Sequence, residues 1–433
     1  MGYAAAEAHL NKLGIDAMKS LAPSLQRMEA ICEALDHPER SLNAIHIAGT
    51  NGKSSVARLA TALLQAAGLS VGTFTSPHLE SVVERIAFTG EPLSREQFGD
   101  AFDHLEPYLD LVQKDLGEEL SYFEVLTAMF FLWASDQPVD AAVIEVGLGG
   151  RWDATNLVPA DIAVITNIDM DHVELLGPDL GAIAAEKAGV IKEASTVVVG
   201  ERRPDALAPI ATQAEGLGAE LRLLGREFSV TQSHVALGGR YLDLEVGGTN
   251  YDSLFLPVHG SHQATNAALA LAAVNAFLAQ PLSTAVVQEG FGAVKVPGRM
   301  ESIRVAGKLF LLDVAHNPAG MSAFVTGVLE AFAFDRACVI FGALSDKDHG
   351  GMLSELARLE PELIVTQPHT ERAVPAAELS VAAKEFALEA SVVPGIGQAV
   401  AAALRSDADL VAVTGSHYLV GEARRALSTV DTR

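Results

Sequence analysis

His46-Ile47-Ala48-Gly49-Thr50-Asn51-Gly52-Lys53-Ser54-Ser55 is the stretch whose reading decides the fold. The apolar run Ala44 to Ala48 predicts a strand entering a glycine turn. After the turn, Val56, Leu59, Ala60, Leu63, Leu64 and Ala67 recur on one face of an amphipathic helix. In that setting backbone N–H groups converge on one spot, the helix dipole favours negative charge there, and Lys53 adds a mobile cation. The strict phosphate-loop pattern needs glycine where Ile47 stands, so the match is to a shorter G-T-N-G-K-S variant. A glycine turn merely capped by Ser54 is the bland alternative; the flanking strand and helix favour phosphate.

A chain of 433 residues is long enough for two domains or three, each with its own core. Hydrophobic residues make up 49% and charged ones 20%, the balance of a soluble α/β protein rather than a disordered chain. No apolar run approaches the length that spans a bilayer, and the start of the chain, with Glu7, lacks a basic segment followed by an apolar one. These features predict a cytoplasmic protein. Cys32 and Cys338 each sit among apolar neighbours, which predicts buried free thiols in a reducing compartment. The net charge of −25 repels nucleic acid and anionic membranes, so anionic ligands must be held by local cations, helix ends and metal ions.

Residues 1–42 read as helical and carry no motif. Ser70 to Phe74 predicts a strand that delivers Thr75-Ser76-Pro77-His78-Leu79 at its carboxyl end, and Ser94-Arg95-Glu96-Gln97 is a capping box. An apolar helix follows over Tyr122 to Ala134. The strand Ala141 to Glu145 ends in a carboxylate, and the strand Ile162 to Ile165 ends in Thr166-Asn167-Ile168-Asp169 and then Asp171-His172. Ligands of open α/β sheets bind at that end. A single carboxylate there could be a solvated turn residue; two strands repeating the arrangement beside a phosphate loop point to function. Leu221 to Pro257 reads as β-rich and antiparallel, either extending the first sheet or forming a small subdomain, with turns at Gly238-Gly239 and Gly247-Gly248. His262-Gln263-Ala264-Thr265-Asn266 opens an Ala-rich helix, and Lys295 to Arg299 reads as the linker. Beyond it, strands at Leu309 to Leu312, Cys338 to Phe341, Leu363 to Thr366, Ser391 to Val393 and Leu410 to Val413 alternate with helices, which predicts a Rossmann-like sheet.

The polar groups of the first part are Lys53, Ser76 with His78, Glu145, His172 and Lys187. One hydroxyl and one carboxylate suit Mg²⁺, which binds through few protein oxygens and substrate phosphates; spacing alone leaves His172 open between a ligand and a histidine packed under a loop. Gly147-Leu148-Gly149-Gly150 is not a dinucleotide fingerprint, because Trp152 occupies the last glycine's place. There is no H-E-x-x-H or paired-cysteine spacing for zinc, and Gly415-Ser416-His417 lacks the G-x-S-x-G elbow. Asp313-Val314-Ala315-His316-Asn317-Pro318 lies at the carboxyl end of the second part's first strand, where it could also simply cap the next helix.

Taken in order, these motifs resemble the folylpolyglutamate synthase and dihydrofolate synthase family of the Mur ligase group. The resemblance rests on Gly49 to Lys53, Thr75 to Leu79, Glu145 to Arg151, Asp153-Ala154-Thr155-Asn156, Asp171-His172, Glu186-Lys187-Ala188-Gly189, His262-Gln263 with Asn266, Pro297-Gly298-Arg299, and Asp313 with His316-Asn317-Pro318. It implies an ATP-dependent ligase that adds L-glutamate to dihydropteroate and to reduced folates through an acyl phosphate. The implied nucleotide contacts are Gly49, Thr50, Asn51, Gly52, Lys53, Ser54, Ser55, Asn266, Arg299 and Asp313, with His316 near the γ-phosphate. Ser76, Glu145 and His172 match ligands of one Mg²⁺, and Lys187 matches a lysine carbamylated to hold a second; the resemblance leaves room for a monovalent cation as well. Phe123 and Asp153 match residues that hold the pterin. Three positions depart from the family pattern: Ser54 and Val314 where glycine is usual, and His417 where an apolar or aromatic residue is expected.

The expected architecture is therefore α/β. Residues 1–296 would form a phosphate-loop ATPase domain with a mostly parallel sheet and a small β-rich part, and residues 297–433 a Rossmann-like domain, with the polar strand ends of the two facing a common cleft. A working monomer without nucleic-acid or membrane partners is expected. The competing readings are a ligase restricted to extending folates, a muramyl-type amino-acid ligase, and a nucleotide switch. The guanine-reading N-K-x-D sequence of a GTP switch is missing.

Overall fold

The computed structural model describes residues 2–14 and 24–430, so residues 15–23 of the helical N-terminal expectation lie outside the described residues. The chain divides into two compact units. One comprises the chain up to Gln232 with Leu242–Leu254 and Thr265–Val294; the other comprises Ser233–Tyr241, Phe255–Ala264 and the chain from Lys295 onward.

The first unit is built on strands β1 (Ala44–Ala48), β2 (Val71–Phe74), β3 (Ile86–Phe88), β4 (Glu91–Pro92), β5 (Ala141–Glu145), β6 (Ile162–Ile165), β7 (Thr196–Val199) and β8 (Glu220–Leu223), in the order β4-β3-β2-β5-β1-β6-β7-β8. From β2 to β8 all neighbours are parallel, and β3 and β4 add an antiparallel edge. All five residues of β1 are buried, as a strand between two parallel neighbours must be. Register then sets the site: Ile47 pairs with Glu145 and Ala48 with Ile165, which brings the carboxyl ends of β5, β1 and β6 to one level. β1 is also where strand order reverses, the position at which such sheets open a crevice.

One correction concerns the edge. Residues Leu221 to Leu223, read from sequence as part of an antiparallel stretch, form a parallel strand against β7. The helix Pro204–Gly216 supplies the crossover a parallel connection needs, and a four-residue strand is too short for its alternation to reveal direction. The rest of that stretch forms a separate sheet of β9 (Phe228–Ala236), β10 (Gly239–Val246) and β11 (Thr249–Leu256), in the order β11-β10-β9.

The helix Lys53–Ala66 buries Val56, Leu59, Ala60, Leu63 and Leu64, the face expected from its periodicity. The helix Tyr122–Asp136 is apolar almost all round and accordingly buried; Phe74 stacks on Phe130 at 5.2 Å and meets Phe123 at 5.6 Å. Its start is held by the Ser121–Glu124 capping box, and Glu124 also accepts from Arg27 Nε at 3.1 Å. The Ser94–Gln97 capping box is formed as expected. Both cysteines are buried free thiols, and burial raises their pKa, Cys338 to about 12, which disfavours the thiolate.

The second unit carries β12 (Glu301–Val305), β13 (Lys308–Asp313), β14 (Ala337–Phe341), β15 (Glu362–Val365), β16 (Ala390–Val392) and β17 (Leu410–Thr414) in the order β12-β13-β17-β14-β15-β16. The sheet is parallel from β13 to β16, with β12 antiparallel at the edge. β17 lies between β13 and β14, so Asp313, Thr414 and Phe341 are level at the carboxyl edge. Among the described residues no helix is long and apolar enough to cross a membrane.

Candidate active site

In the first unit the turn after β1 is held from β6. The Thr50 N–H donates to Asn167 O at 2.9 Å, the Asn51 N–H to Asn167 Oδ1 at 2.8 Å, and Thr166 Oγ1 to Asn51 O at 2.7 Å. Gly49 has φ 147°, and a Cβ there would overlap Thr166 Oγ1. Gly52, the left-handed N-cap of the helix Lys53–Ala66 (φ 85°), would place a Cβ 2.7 Å from Asn266 Oδ1. Both glycines are thus required by backbone conformation and by close approach. The helix begins without a side-chain cap, so its dipole end is presented at the turn.

Two lysines from distant parts of the chain meet this turn. Lys53 Nζ donates to Gly49 O at 3.0 Å and to Thr50 O at 3.3 Å; Lys187 Nζ donates to the same Gly49 O at 3.0 Å. Burial, and then the charge of Lys53, lower the Lys187 pKa to about 7, against the opposing pull of Asp171, Asp153 and Glu186. This shift is in the direction that favours the neutral, nucleophilic amine.

Glu145, 1% exposed at the end of β5, accepts from Ser54 Oγ at 2.9 Å through one carboxylate oxygen and from the Ser76 N–H at 3.0 Å through the other. Ser54 and Ser76, singled out separately in the sequence, are joined here by one carboxylate, and Ser55 is buried in the helix. His172, at φ 50°, lies with Nε2 3.8 Å from Asp171 Oδ1. His78 instead accepts from Arg85 Nε at 3.0 Å. Among the described residues no three His, Cys, Asp or Glu side chains form a ready metal cluster. Mg²⁺ does not need one, since one carboxylate with hydroxyl oxygens and substrate phosphates is its usual donor set; Glu145 with the Ser54 hydroxyl fits it, while Ser76 reaches the carboxylate through its backbone N–H. Because Ser54 orients that carboxylate, Ser54→Ala is expected to raise the Mg²⁺ concentration giving half-maximal activity about tenfold. A Mg²⁺ titration of both proteins checks this; an unchanged midpoint would remove Ser54 from the site.

Phe123 and Asp153 both act on the turn after β5. The Phe123 ring, 6% exposed, lies where a Gly147 Cβ would be, at 2.6 Å from its Cζ. Asp153 accepts from the Leu148 N–H at 2.9 Å and from the Thr155 N–H at 3.0 Å. Burial raises the Asp153 pKa, although these hydrogen bonds oppose it. Thr155 Oγ1 donates to Asp153 and lies 2.8 Å from Nε2 of His46, which burial lowers to a pKa of about 3. This buried His46–Thr155–Asp153 chain links β1 to the turn. Sequence reasoning missed it, as it missed the grip of Thr166 and Asn167 on the loop; the polar run closing β6 was the available signal.

In the second unit Asp313 ends β13. Its carboxylate accepts from the Met300 and Ala315 N–H groups, each at 2.9 Å. Burial raises its pKa to about 6, against the charge of Arg299. His316 Nδ1 lies 2.9 Å from Val314 O, and Asn317 caps the helix Pro318–Ala331 by accepting from the Gly320 N–H at 2.8 Å. The predicted residues Arg299, Asp313 and His316 thus share one edge of one sheet.

A phosphate loop with two converging lysines in one unit, and an Asp-x-x-His turn on a parallel sheet in the other, define a Mur ligase. The Mur ligase middle domain matches residues 47–274, and the Mur ligase glutamate ligase domain matches residues 298–417. The dihydrofolate synthase/folylpolyglutamate synthase of Mycobacterium tuberculosis is 42% identical over 380 residues, 84% of this chain and 78% of that protein. Its counterpart in Bacillus subtilis is 31% identical over 409 residues, 94% and 95% of the two chains. The Mycobacterium tuberculosis folylpolyglutamate synthase complexed with ADP superposes with a TM-score of 0.93 at 39% identity, covering 98% of both chains. A complex of a folylpolyglutamate synthase with AMPPCP and folate gives 0.87 at 30% identity, covering 99% of this chain and 100% of that one. The chain belongs to the folylpolyglutamate synthase/dihydrofolate synthase family.

Proposed function

We propose that this chain is an ATP-dependent amide-forming ligase that joins the amine of L-glutamate to dihydropteroate, giving dihydrofolate, and then to reduced folates through γ-linked additions. The observation that carries the reading is the meeting of Lys53 and Lys187 on the Gly49 carbonyl, within a family whose relatives bear both activities in their names.

A carboxylate is a poor acyl donor. One of its oxygens attacks the γ-phosphorus of ATP, ADP leaves with the bridging oxygen, and an acyl phosphate forms. The deprotonated amine then attacks the acyl carbon, and inorganic phosphate departs with the C–O electron pair. Lys53 and the helix start would hold the phosphates, and Asn266, Arg299 and Asp313 the nucleotide, with His316 near the γ-phosphate. Ser76, Glu145 and His172 would hold one Mg²⁺, and Lys187 as a carbamate a second. When bound, these ions neutralise charge on the phosphates and on the oxygens of the intermediate. Phe123 and Asp153 would act on the pterin through the Gly147–Leu148 turn that they hold.

The deciding experiment is glutamate-dependent release of ADP and phosphate with dihydropteroate and tetrahydrofolate side by side. Turnover with both is expected. Silence with dihydropteroate alone would leave only the extension activity, the one named for the Lacticaseibacillus casei relative that is 33% identical over 408 residues. Turnover only with a UDP-linked muramyl substrate, or turnover indifferent to glutamate, would overturn the reading. Two buried free thiols support a cytoplasmic location, and a monomer is proposed, to be checked by light scattering.

A further inference from the structure

Two imidazoles stand side by side on the carboxyl edge of the second unit's sheet. His316 follows the end of β13 and His417 the end of β17, neighbouring strands in which Asp313 pairs with Thr414. Their ring centroids are 5.2 Å apart and their planes 49° from parallel, within the range of a tilted aromatic pair. The backbones beneath them are tied together, since the Gly415 N–H donates to Ala315 O at 3.1 Å. Gly415 itself, at φ 115°, has the Gly342 carbonyl 2.6 Å from where a Cβ would stand. Ser416 Oγ accepts from the Leu419 N–H at 3.2 Å and caps the helix His417–Val430, of which His417 is the first residue. Neither ring is therefore carried by a loose loop.

His316 bonds through Nδ1 to the carbonyl of its own turn, which makes Nδ1 the protonated nitrogen of the neutral ring and directs chemistry to the Nε2 side. A contact within the same turn restrains one edge of the ring; a second ring packed beside it at a tilt restrains its plane further. We propose that His417 is a positioning residue for amide formation, holding the His316 ring so that its Nε2 side keeps one orientation at the ligand edge. The proposal rests on the role given above to His316. A flat ring suffices for the task, and this chain supplies it with histidine.

The test is steady-state kinetics of the full chain carrying His417→Ala or His417→Phe, with ATP, glutamate and a reduced folate. Alanine is expected to lower kcat about tenfold while the KM values for ATP and glutamate stay within about twofold, and phenylalanine to restore kcat to within about threefold of the parent. Parental kcat in His417→Ala overturns the proposal. So does equal impairment of the two variants, or a loss confined to the glutamate KM, because either makes His417 a ligand contact. ¹⁵N-histidine NMR gives an independent readout: the His316 nitrogens are expected to show the Nδ1–H form in the parent and to move toward tautomer averaging in His417→Ala, and unchanged signals overturn the proposal. Should no folate be ligated at all, the functional reading fails while the NMR comparison still decides the positioning claim.

Discussion

Lys187→Ala is expected to lower kcat for ligation by about a thousandfold or more, with a short carboxylate such as acetate restoring part of the loss. The amine is buried, shares the Gly49 carbonyl with Lys53, and has its pKa lowered to about 7. A neutral amine can add to CO₂, forming an N–C bond and losing one proton to give a carbamate. Carbamylated as proposed, the side chain would be an oxygen donor suited to Mg²⁺ rather than an amine. At limiting bicarbonate, activity should climb as the pH rises through about 7, where the amine becomes available, and this climb should be missing from the acetate-rescued variant. Stability has a matching sign. Between about pH 7 and the unfolded value of 10.5 the unfolded chain binds the proton that the folded chain has released, so folding becomes more favourable as pH rises through that window. Chemical denaturation of the parent and of Lys187→Met at pH 7 and pH 9 should show the parent gaining more. Near-parental ligation by Lys187→Ala without added carboxylate would remove Lys187 from the chemistry.

The second large effect is expected from Gly49→Ala, although only one methyl group is added. At φ 147° an L-residue is strained by roughly 1–3 kcal/mol whatever the space around it. The added carbon would also overlap Thr166 Oγ1, the hydroxyl that donates to Asn51 O. Thr166 would have to turn away, releasing the loop and moving the carbonyl on which both lysines converge. Nucleotide affinity, measured by calorimetry, should fall by about a hundredfold or more, since the loop amides and the helix start would no longer address the same phosphate. Gly49→Ala combined with Thr166→Ala should recover part of the loss, because the overlap with Oγ1 disappears while the strain and the tight approach to the Cβ and N of residue 166, at 3.0 and 3.1 Å, remain. Equal failure of the single and double variants would mean that the Thr166 hydroxyl overlap is not what matters, leaving backbone strain and the approach to residue 166 itself.

The strand, glycine turn and helix around Lys53 were legible because their parts are contiguous: an apolar run, glycines, a lysine and a helical periodicity occupy one stretch. The positions of Glu145 and Asp313 at strand ends were legible for a related reason, as each is the polar residue at which a buried apolar run stops. His172 and Lys187 acquired roles only through the resemblance, since no spacing ties them to Lys53. The direction of β8 was misread because a four-residue strand carries no period long enough to report it. His417 stood out in the sequence only as a departure, and its ring contact with His316 gave the departure a use.

The sequence by itself determined two α/β parts, the place of the strand–glycine turn–helix at Lys53 and the family, because local periodicity and ordered motifs are written in consecutive residues. The tertiary structure alone decided which distant groups share an atom. Lys187 reaches the Gly49 carbonyl across 138 residues, one Glu145 carboxylate joins Ser54 to Ser76, and Thr166 closes against Gly49. The reason is strand order: β1 lies between β5 and β6 in register, and that choice is made by burial of whole strand faces rather than by any residue pattern within one of them.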